Sequence, residues 1–470
     1  MPKANYSEHC SLDCPDCNLD RRDDPETVVC GKAQDIKHFR VNLTRSMASL
    51  KAPAPVMTAA TDLSFSKERT DTLIHGIHVY PARMHPLLAR FLIRWFLPSG
   101  GTIVDPFCGS GTTLVESIIT KNPSIGVEIN PLGVLISRVK TTPLKPRELE
   151  SSICRLLKEY YSRLGVLHLE SGVHIDIECD RLRYWFKPAA IRDLAILKEL
   201  LVDCPLEQDQ AILDFLKVCF SETVRRASNS RAGQFKLHRL APDKLSRHRP
   251  DVPGLFTSIL LSNYHRMTEF YNCVCLGGQT EGARALVLEG DNREVDVPEK
   301  ADLILTSPHY GDNKTSISYG QFSKLSMLWL GYKEEDIRRL DRRPSKSCTN
   351  TSAAQISRTL SGVVDKIRRK KESRARSVTA YFDSLYESLA ATRYILNQRG
   401  IMCLVVGERH VTGTRIPMVK VVHDFMMDLR MKPIAKLSRA IPRKYLPRQN
   451  DTVETINREF ILAYADCARS

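Results

Sequence analysis

The stretch "GGTIVDPFCGSGTTLVESII", residues 100–119, constrains the fold more than any other part of this chain. Thr102 to Val104 read as a short apolar strand that Asp105 ends. Gly109 and Gly111 let the backbone turn tightly and come close to a ligand. Thr112 and Thr113 open a helix through "LVESII", whose first N–H groups have no partner within the helix and favour a negative ligand group. A second strand, "SIGVE", follows and ends in Glu128, where an acid suits hydrogen bonds to ribose hydroxyls. Strand, acid, glycine turn, helix and second acid together point to a Rossmann-type nucleotide turn. The pattern is neither G-x-G-x-x-G nor the lysine-containing phosphate loop.

The rest of the chain extends this reading. Strand signals return in "ARALVLEGD", "ADLILTSP", "GIMCLVVGE" and "REFILAYAD". Strands alternating with helices predict an α/β sheet covered on both faces. Residues 1–70 are polar, without a long periodic segment, and read as an arm. Residues 71–140 form the first half of the sheet domain, and residues 283–470 the second. Residues 141–282 carry helical spacing, as in "AAIRDLAILKELL", and read as a large helical insertion. Residues 331–395 are charged and helix-prone and read as a smaller, basic insertion.

The formal net charge of +15 implies a polyanionic partner, most simply nucleic acid. No apolar stretch is long enough to span a bilayer, and the first residues lack the apolar core of a signal peptide, so a cytoplasmic protein without a membrane partner is expected. The 14 cysteines are mostly scattered singly, as in a reduced protein. Cys10, Cys14, Cys17 and Cys30 are spaced closely enough to hold a structural zinc; the alternative is four free thiols. The first three also match the spacing of iron–sulfur radical enzymes. That reading is rejected, because Asp16 stands where an aromatic residue is usual before the third cysteine.

Two motifs carry a resemblance to a known family. "DPFCGSGTT" resembles the S-adenosylmethionine motif of amino-methylating DNA methyltransferases, and "SPHY", residues 307–310, resembles their catalytic (S/D/N)PPY tetrapeptide. "HVYPARMHPLLARFL" resembles the segment that closes over the methionine end of the cofactor, and "LEGDNRE" the segment whose acid reaches the adenine. The likeness implies a Rossmann-like class I methyltransferase with a mixed seven-stranded sheet. It implies that Asp105, Phe107, Gly109, Gly111 and Thr112 shape the cofactor pocket. Glu128 would hold the ribose, Asp291 would face the adenine amino group, and Tyr80, Pro81 and Ala82 would line the methionine end.

The tetrapeptide has a chemical reason. The lone pair of an exocyclic amino group on cytosine or adenine is delocalised into the ring, so the group is a poor nucleophile. Two hydrogen-bond acceptors, Ser307 Oγ and the Pro308 carbonyl, would localise that lone pair, and Tyr310 would stack on the base. Proline fixes φ and so holds the turn before the substrate arrives. Within the family, serine in the first position usually accompanies cytosine-N4 methylation and aspartate adenine-N6 methylation, so the expected product is N4-methylcytosine in a short DNA sequence. His309 departs from the family, which has a second proline there. The other readings are an adenine-N6 enzyme, an RNA base methyltransferase, and a DNA-binding homologue impaired by His309. Double-stranded DNA is the expected partner, the base being flipped out to reach the pocket. A separate restriction nuclease with the same target would be a further partner. Within the helical insertion, Arg225, Arg226, Asn229, Arg231, Lys236 and Arg239 are the candidates to contact DNA, with the run Lys366 to Arg376 as a second surface for phosphates.

Overall fold

The computed structural model describes residues 57–59, 63, 65, 68–167, 181–231, 235–275, 283–310, 318–342, 352–441 and 458–466. Its strands are β1 (Met57–Ala59), β2 (Ile103–Asp105), β3 (Ser124–Glu128), β4 (Ala285–Glu289), β5 (Ala301–Thr306), β6 (Leu396–Gly407), β7 (Arg409–Val411), β8 (Thr414–Ile416), β9 (Met431–Ala440) and β10 (Arg458–Asp466). Seven of them make the expected mixed sheet, in the order β4-β3-β2-β5-β6-β10-β9. Neighbours from β4 to β6 run parallel, and β10 runs antiparallel to both β6 and β9. The eighth strand, β1, adds parallel to β9 at the edge, and β7 and β8 form a separate hairpin.

The continuous apolar runs of the sequence are strands buried on both faces. Leu303 and Leu305 join Ile401, Cys403, Val405, Ile461 and Ala463 on one face, against helix α1 (Pro86–Phe96). Ile304, Met402, Leu404, Val406, Leu462 and Tyr464 lie on the other. Between β2 and β3 runs α2 (Thr112–Ile119), and α3 (Pro131–Thr141) follows β3. Its start was written in the sequence: Pro131 takes the first helical position, and Asn130 Oδ1 accepts the Leu132 N–H at 3.2 Å.

Between α3 and β4 the described residues are mainly helical, with α4 (Pro146–Leu167), α5 (Pro188–Lys198), α6 (Gln210–Ala227) and α7 (Val252–Cys275) as the long elements. These helices share a core with α3 and with α8 (Tyr319–Trp329), whose buried Trp329 meets Phe186 and Phe220 edge-on. Between β5 and β6 lie α9 (Arg358–Lys370) and α10 (Glu372–Tyr394). α10 buries Val378, Phe382, Leu385 and Leu389 against the sheet, so the end of the charged stretch is itself the crossover helix from β5 to β6. α11 (Met418–Asp428) covers the same face. Parallel strands β2, β3 and β5 thus end together, bringing Asp105, Glu128 and Thr306 to one edge.

Candidate active site

The glycine turn is tied down from three sides. The buried Asp105 carboxylate accepts the Phe107 N–H at 3.1 Å and the Thr306 hydroxyl at 2.6 Å, which locks the turn after β2 to the end of β5. Burial raises its pKa, against these bonds and one from the Thr113 hydroxyl. Gly109 and Gly111 have φ of +56° and +76°, the left-handed region that favours glycine. Ser137 of α3 donates to the Gly109 carbonyl at 2.9 Å, and a Cβ on Gly111 would lie 2.9 Å from that same Ser137 Oγ. A Cβ on Gly109 would instead point between the Tyr80 ring, 3.5 Å away, and Glu128 Oε2, 4.0 Å away.

At the tip of β3, Glu128 Oε1 accepts the Asn130 N–H at 2.8 Å. Burial pushes its pKa up to about 7, against the pull of the backbone amides of Asn130, Ile129 and Gly109. Asn130, which sequence reasoning missed, links three pieces: its Nδ2 donates to Tyr80 Oη at 3.1 Å and to Ser323 Oγ of α8 at 2.7 Å. The signal for it was the Asn-Pro pair that begins α3. Tyr80 packs against Tyr319 and Phe322, and burial raises its pKa. Pro81 is buried, while exposed Ala82 holds a φ of +51°, a strained conformation for a residue with a Cβ. Thr112 is buried at the start of α2 and Phe107 is half-buried. Asp291 is turned onto Arg293, with Nη2 to Oδ2 at 2.7 Å, and the same guanidinium reaches Glu387 of α10 at 2.9 Å. Asn292 donates to the Pro106 carbonyl at 2.8 Å.

The turn after β5 sits beside the glycine turn. Two of its carbonyls are occupied: that of His309 accepts from the Tyr381 hydroxyl, and that of Tyr310 accepts from Arg409 Nη1 at 2.7 Å. The Pro308 carbonyl takes no such bond among the described residues. Ser307 Oγ lies 3.1 Å from Tyr310 Oη, which also donates to Glu459 of β10 at 3.1 Å. The His309 ring keeps an exposed face and packs on Tyr319, centroids 4.6 Å apart, with Phe107 at 6.2 Å. The protein crowded around the rest of the ring lowers its pKa to about 4, so at pH 7 the imidazole is neutral. Arg409, Tyr381 and Glu459 carry no motif of their own; strand pairing and the crossover helix bring them to the turn.

The six candidates of the helical segment part company. Arg225 is mostly buried and pairs with Glu222 at 2.7 Å; Arg226 pairs with the same carboxylate at 2.7 Å. Asn229 is buried, and its Nδ2 donates to the Tyr184 carbonyl at 3.1 Å. Arg239 lies over the Tyr184 ring, 4.0 Å from its centroid. Arg231 and Lys236 are exposed. In the second run, Arg374 is buried and Lys366, Arg368, Arg369, Lys370, Lys371 and Arg376 are exposed. Cys10, Cys14, Cys17 and Cys30 lie outside the described residues. Among the described residues no cluster of His, Cys, Asp and Glu could hold a metal ion, and no helix is long and apolar enough to cross a membrane.

Comparison with known proteins identifies the family. The model of an N6/N4 methyltransferase family, described as DNA methylase, matches residues 57–137. The type II methyltransferase M.MvaI of Kocuria varians is 31% identical over 420 residues, 85% of this chain and 91% of its own. The type II methyltransferase M.MjaII of Methanocaldococcus jannaschii is 38% identical over 109 residues, 23% of this chain and 20% of its own. Among solved structures, the rRNA methyltransferase aviRa from Streptomyces viridochromogenes aligns over 86% of this chain and 96% of its own, at 11% identity and a TM-score of 0.28, too low to argue from. The likeness to M.MvaI over most of both chains, with the sheet order and the two turns at its edge, makes this chain a member of the N4/N6 amino-methyltransferase family of DNA methylases.

Proposed function

We propose that the chain methylates N4 of cytosine within a short sequence of double-stranded DNA and protects that DNA from a separate nuclease with the same target. One observation carries the reading. The turn after β5 offers Ser307 Oγ and the Pro308 carbonyl, while the carbonyls of His309 and Tyr310 are occupied by Tyr381 and Arg409. Two acceptors at a strand end suit a planar amino group with two hydrogens to give. Accepting both would localise the nitrogen lone pair and aim it, so that positioning supplies most of the rate. Serine rather than aspartate in the first position favours cytosine over adenine.

The residues fit the family's cofactor, S-adenosylmethionine, whose sulfonium makes its methyl group electrophilic. The gap a Cβ on Gly109 would fill, between Tyr80 and Glu128, leaves the turn open to a close-lying ligand. Glu128 would take the ribose hydroxyls. Asp105, Phe107, Gly111 and Thr112 would shape the turn, and Tyr80, Pro81 and Ala82 would line the methionine end. Asp291 would meet the adenine amino group with the acceptor capacity that Arg293 leaves it. His309 displaces neither acceptor: Ser307 Oγ and the Pro308 carbonyl are both kept, and the His309 carbonyl is already used by Tyr381, which supports an active enzyme over an impaired one.

The test is the product. Purified protein is incubated with duplex DNA and labelled S-adenosylmethionine, and the DNA is digested to nucleosides for mass spectrometry. N4-methylcytosine is expected. N6-methyladenine would overturn the choice of base, and label in RNA alone would overturn the choice of polymer.

A further inference from the structure

Glu459 belongs to neither turn and to no motif, and it lies 149 positions from Tyr310. It reaches the turn because β10 is antiparallel: the start of β10 lies at the edge where the parallel strands end. There Glu459 sits opposite Gly407 of β6 and Arg439 of β9. Its Oε2 accepts from Arg439 Nε at 2.7 Å, and that guanidinium is buried. Its Oε1 accepts from Tyr310 Oη at 3.1 Å.

Counting protons gives this chain of bonds a direction. A tyrosine hydroxyl has one hydrogen, and a carboxylate paired with arginine only accepts. The Tyr310 hydrogen therefore goes to Glu459. In the 3.1 Å contact between Tyr310 Oη and Ser307 Oγ, the tyrosine oxygen must then accept and Ser307 must donate. The one hydrogen of Ser307 is thereby turned away from the substrate side, and its lone pairs are left to receive an amino hydrogen. Without the carboxylate, the Tyr310 hydrogen can turn to Ser307 and occupy a lone pair that the substrate needs.

We propose that Glu459, held by Arg439, is a positioning residue that makes Ser307 an acceptor only, by way of Tyr310. The inference rests on the methylation reading above and deepens it: a reaction centre read from four contiguous residues depends on a carboxylate two strands away.

The test measures initial rates at saturating S-adenosylmethionine on duplex DNA for wild type, E459Q, Y310F and the double variant, with cofactor affinity by calorimetry. E459Q keeps the shape but can donate as well as accept, and its kcat should fall about tenfold, the size of one misdirected hydrogen bond, with cofactor Kd within about twofold of wild type. Y310F keeps the ring and leaves the Glu459–Arg439 pair intact, so it tests the chain even if E459Q melts early; its kcat should fall by a similar factor. On Y310F, adding E459Q should lower kcat by less than about twofold, because the link is already cut. A wild-type kcat in E459Q or in Y310F, or losses that multiply in the double variant, overturns the proposal. A wild type that methylates no DNA overturns the methylation reading and this inference together. That result is distinguishable from an active wild type matched by an equally active E459Q.

Discussion

Glu128 shows how one side chain at the site can trade stability for binding. A carboxyl crowded by Tyr80 and the glycine turn has its pKa raised from 4.5 to about 7. Between those two values the folded chain keeps a proton that the unfolded chain has released. Stability from this group is therefore lost as pH rises through the window, and the cost is full above pH 7. Hydroxyl donors from a ribose would offset it by bonding to the ionised form. E128Q should melt level with wild type at pH 5 and above it at pH 8, while its affinity for S-adenosylmethionine falls about tenfold. Thermal melts at the two pH values check the first half and calorimetry the second; melting curves separated by the same interval at both pH values would sink the argument. His309 adds a slope of the opposite sign: its folded ring loses its proton near pH 4 and the unfolded imidazole near 6.5, so stability from this group rises with pH across that window and levels off above it, equally in E128Q and wild type.

At the scale of elements, the glycine turn and the turn after β5 were legible because each is local. Strand, acid, glycine and helix follow one another within 20 residues, and the chemistry of the turn needs only its own backbone. β9 was not legible. Lys432, Pro433, Lys436 and Arg439 interrupt any apolar run, and the strand exists because β10 and β1 pair with it from either side. Pro433 is tolerated where the register against β10 slips, Tyr464 facing Pro433 and Ala463 facing Ala435, a bulge that spares the missing N–H. Arg439, Arg409 and Tyr381 were invisible for the same reason: their placing at the site is a product of pairing and crossover, not of spacing. Helices α4 to α7 were legible as helix from their apolar spacing, but not their shared core with α8, which lies beyond β5 in sequence. The local turn has its own test. G111A would force a Cβ to 2.9 Å from Ser137 Oγ and 3.2 Å from its Cα, at a φ of +76°. It should cost about 1–2 kcal/mol of stability from the left-handed backbone alone and push α3 off the Gly109 carbonyl. Denaturant melts showing G111A as stable as wild type would mean the turn is not clamped in this way.

At the scale of the whole molecule, an excess of 15 positive charges favours a polyanionic partner but does not say where it would bind. The helical segment shows why counting basic residues misleads. Arg225 and Arg226 look like a DNA-facing pair in the sequence, yet both point at Glu222, which is 2% exposed and also faces His78 at 3.6 Å. The charges around it hold the Glu222 pKa down at about 2, despite burial. This cluster ties α6 to the segment before Tyr80, so the charge of Arg225 is spent inside the fold, while Arg226 reaches the same carboxylate from the exposed side. Arg231 and Lys236, a few residues on, are exposed and available to phosphates. The two pairs should therefore fail differently. R225A leaves a buried carboxylate short of a partner and should destabilise the protein by on the order of 3 kcal/mol, with the salt dependence of DNA binding unchanged. R231A/K236A should melt like wild type and bind DNA more weakly, with the slope of log affinity against log salt smaller by about two. Melting curves and binding titrations at several salt concentrations separate the cases. If R225A flattened the slope and R231A/K236A did not, the DNA surface would lie on the other side of α6.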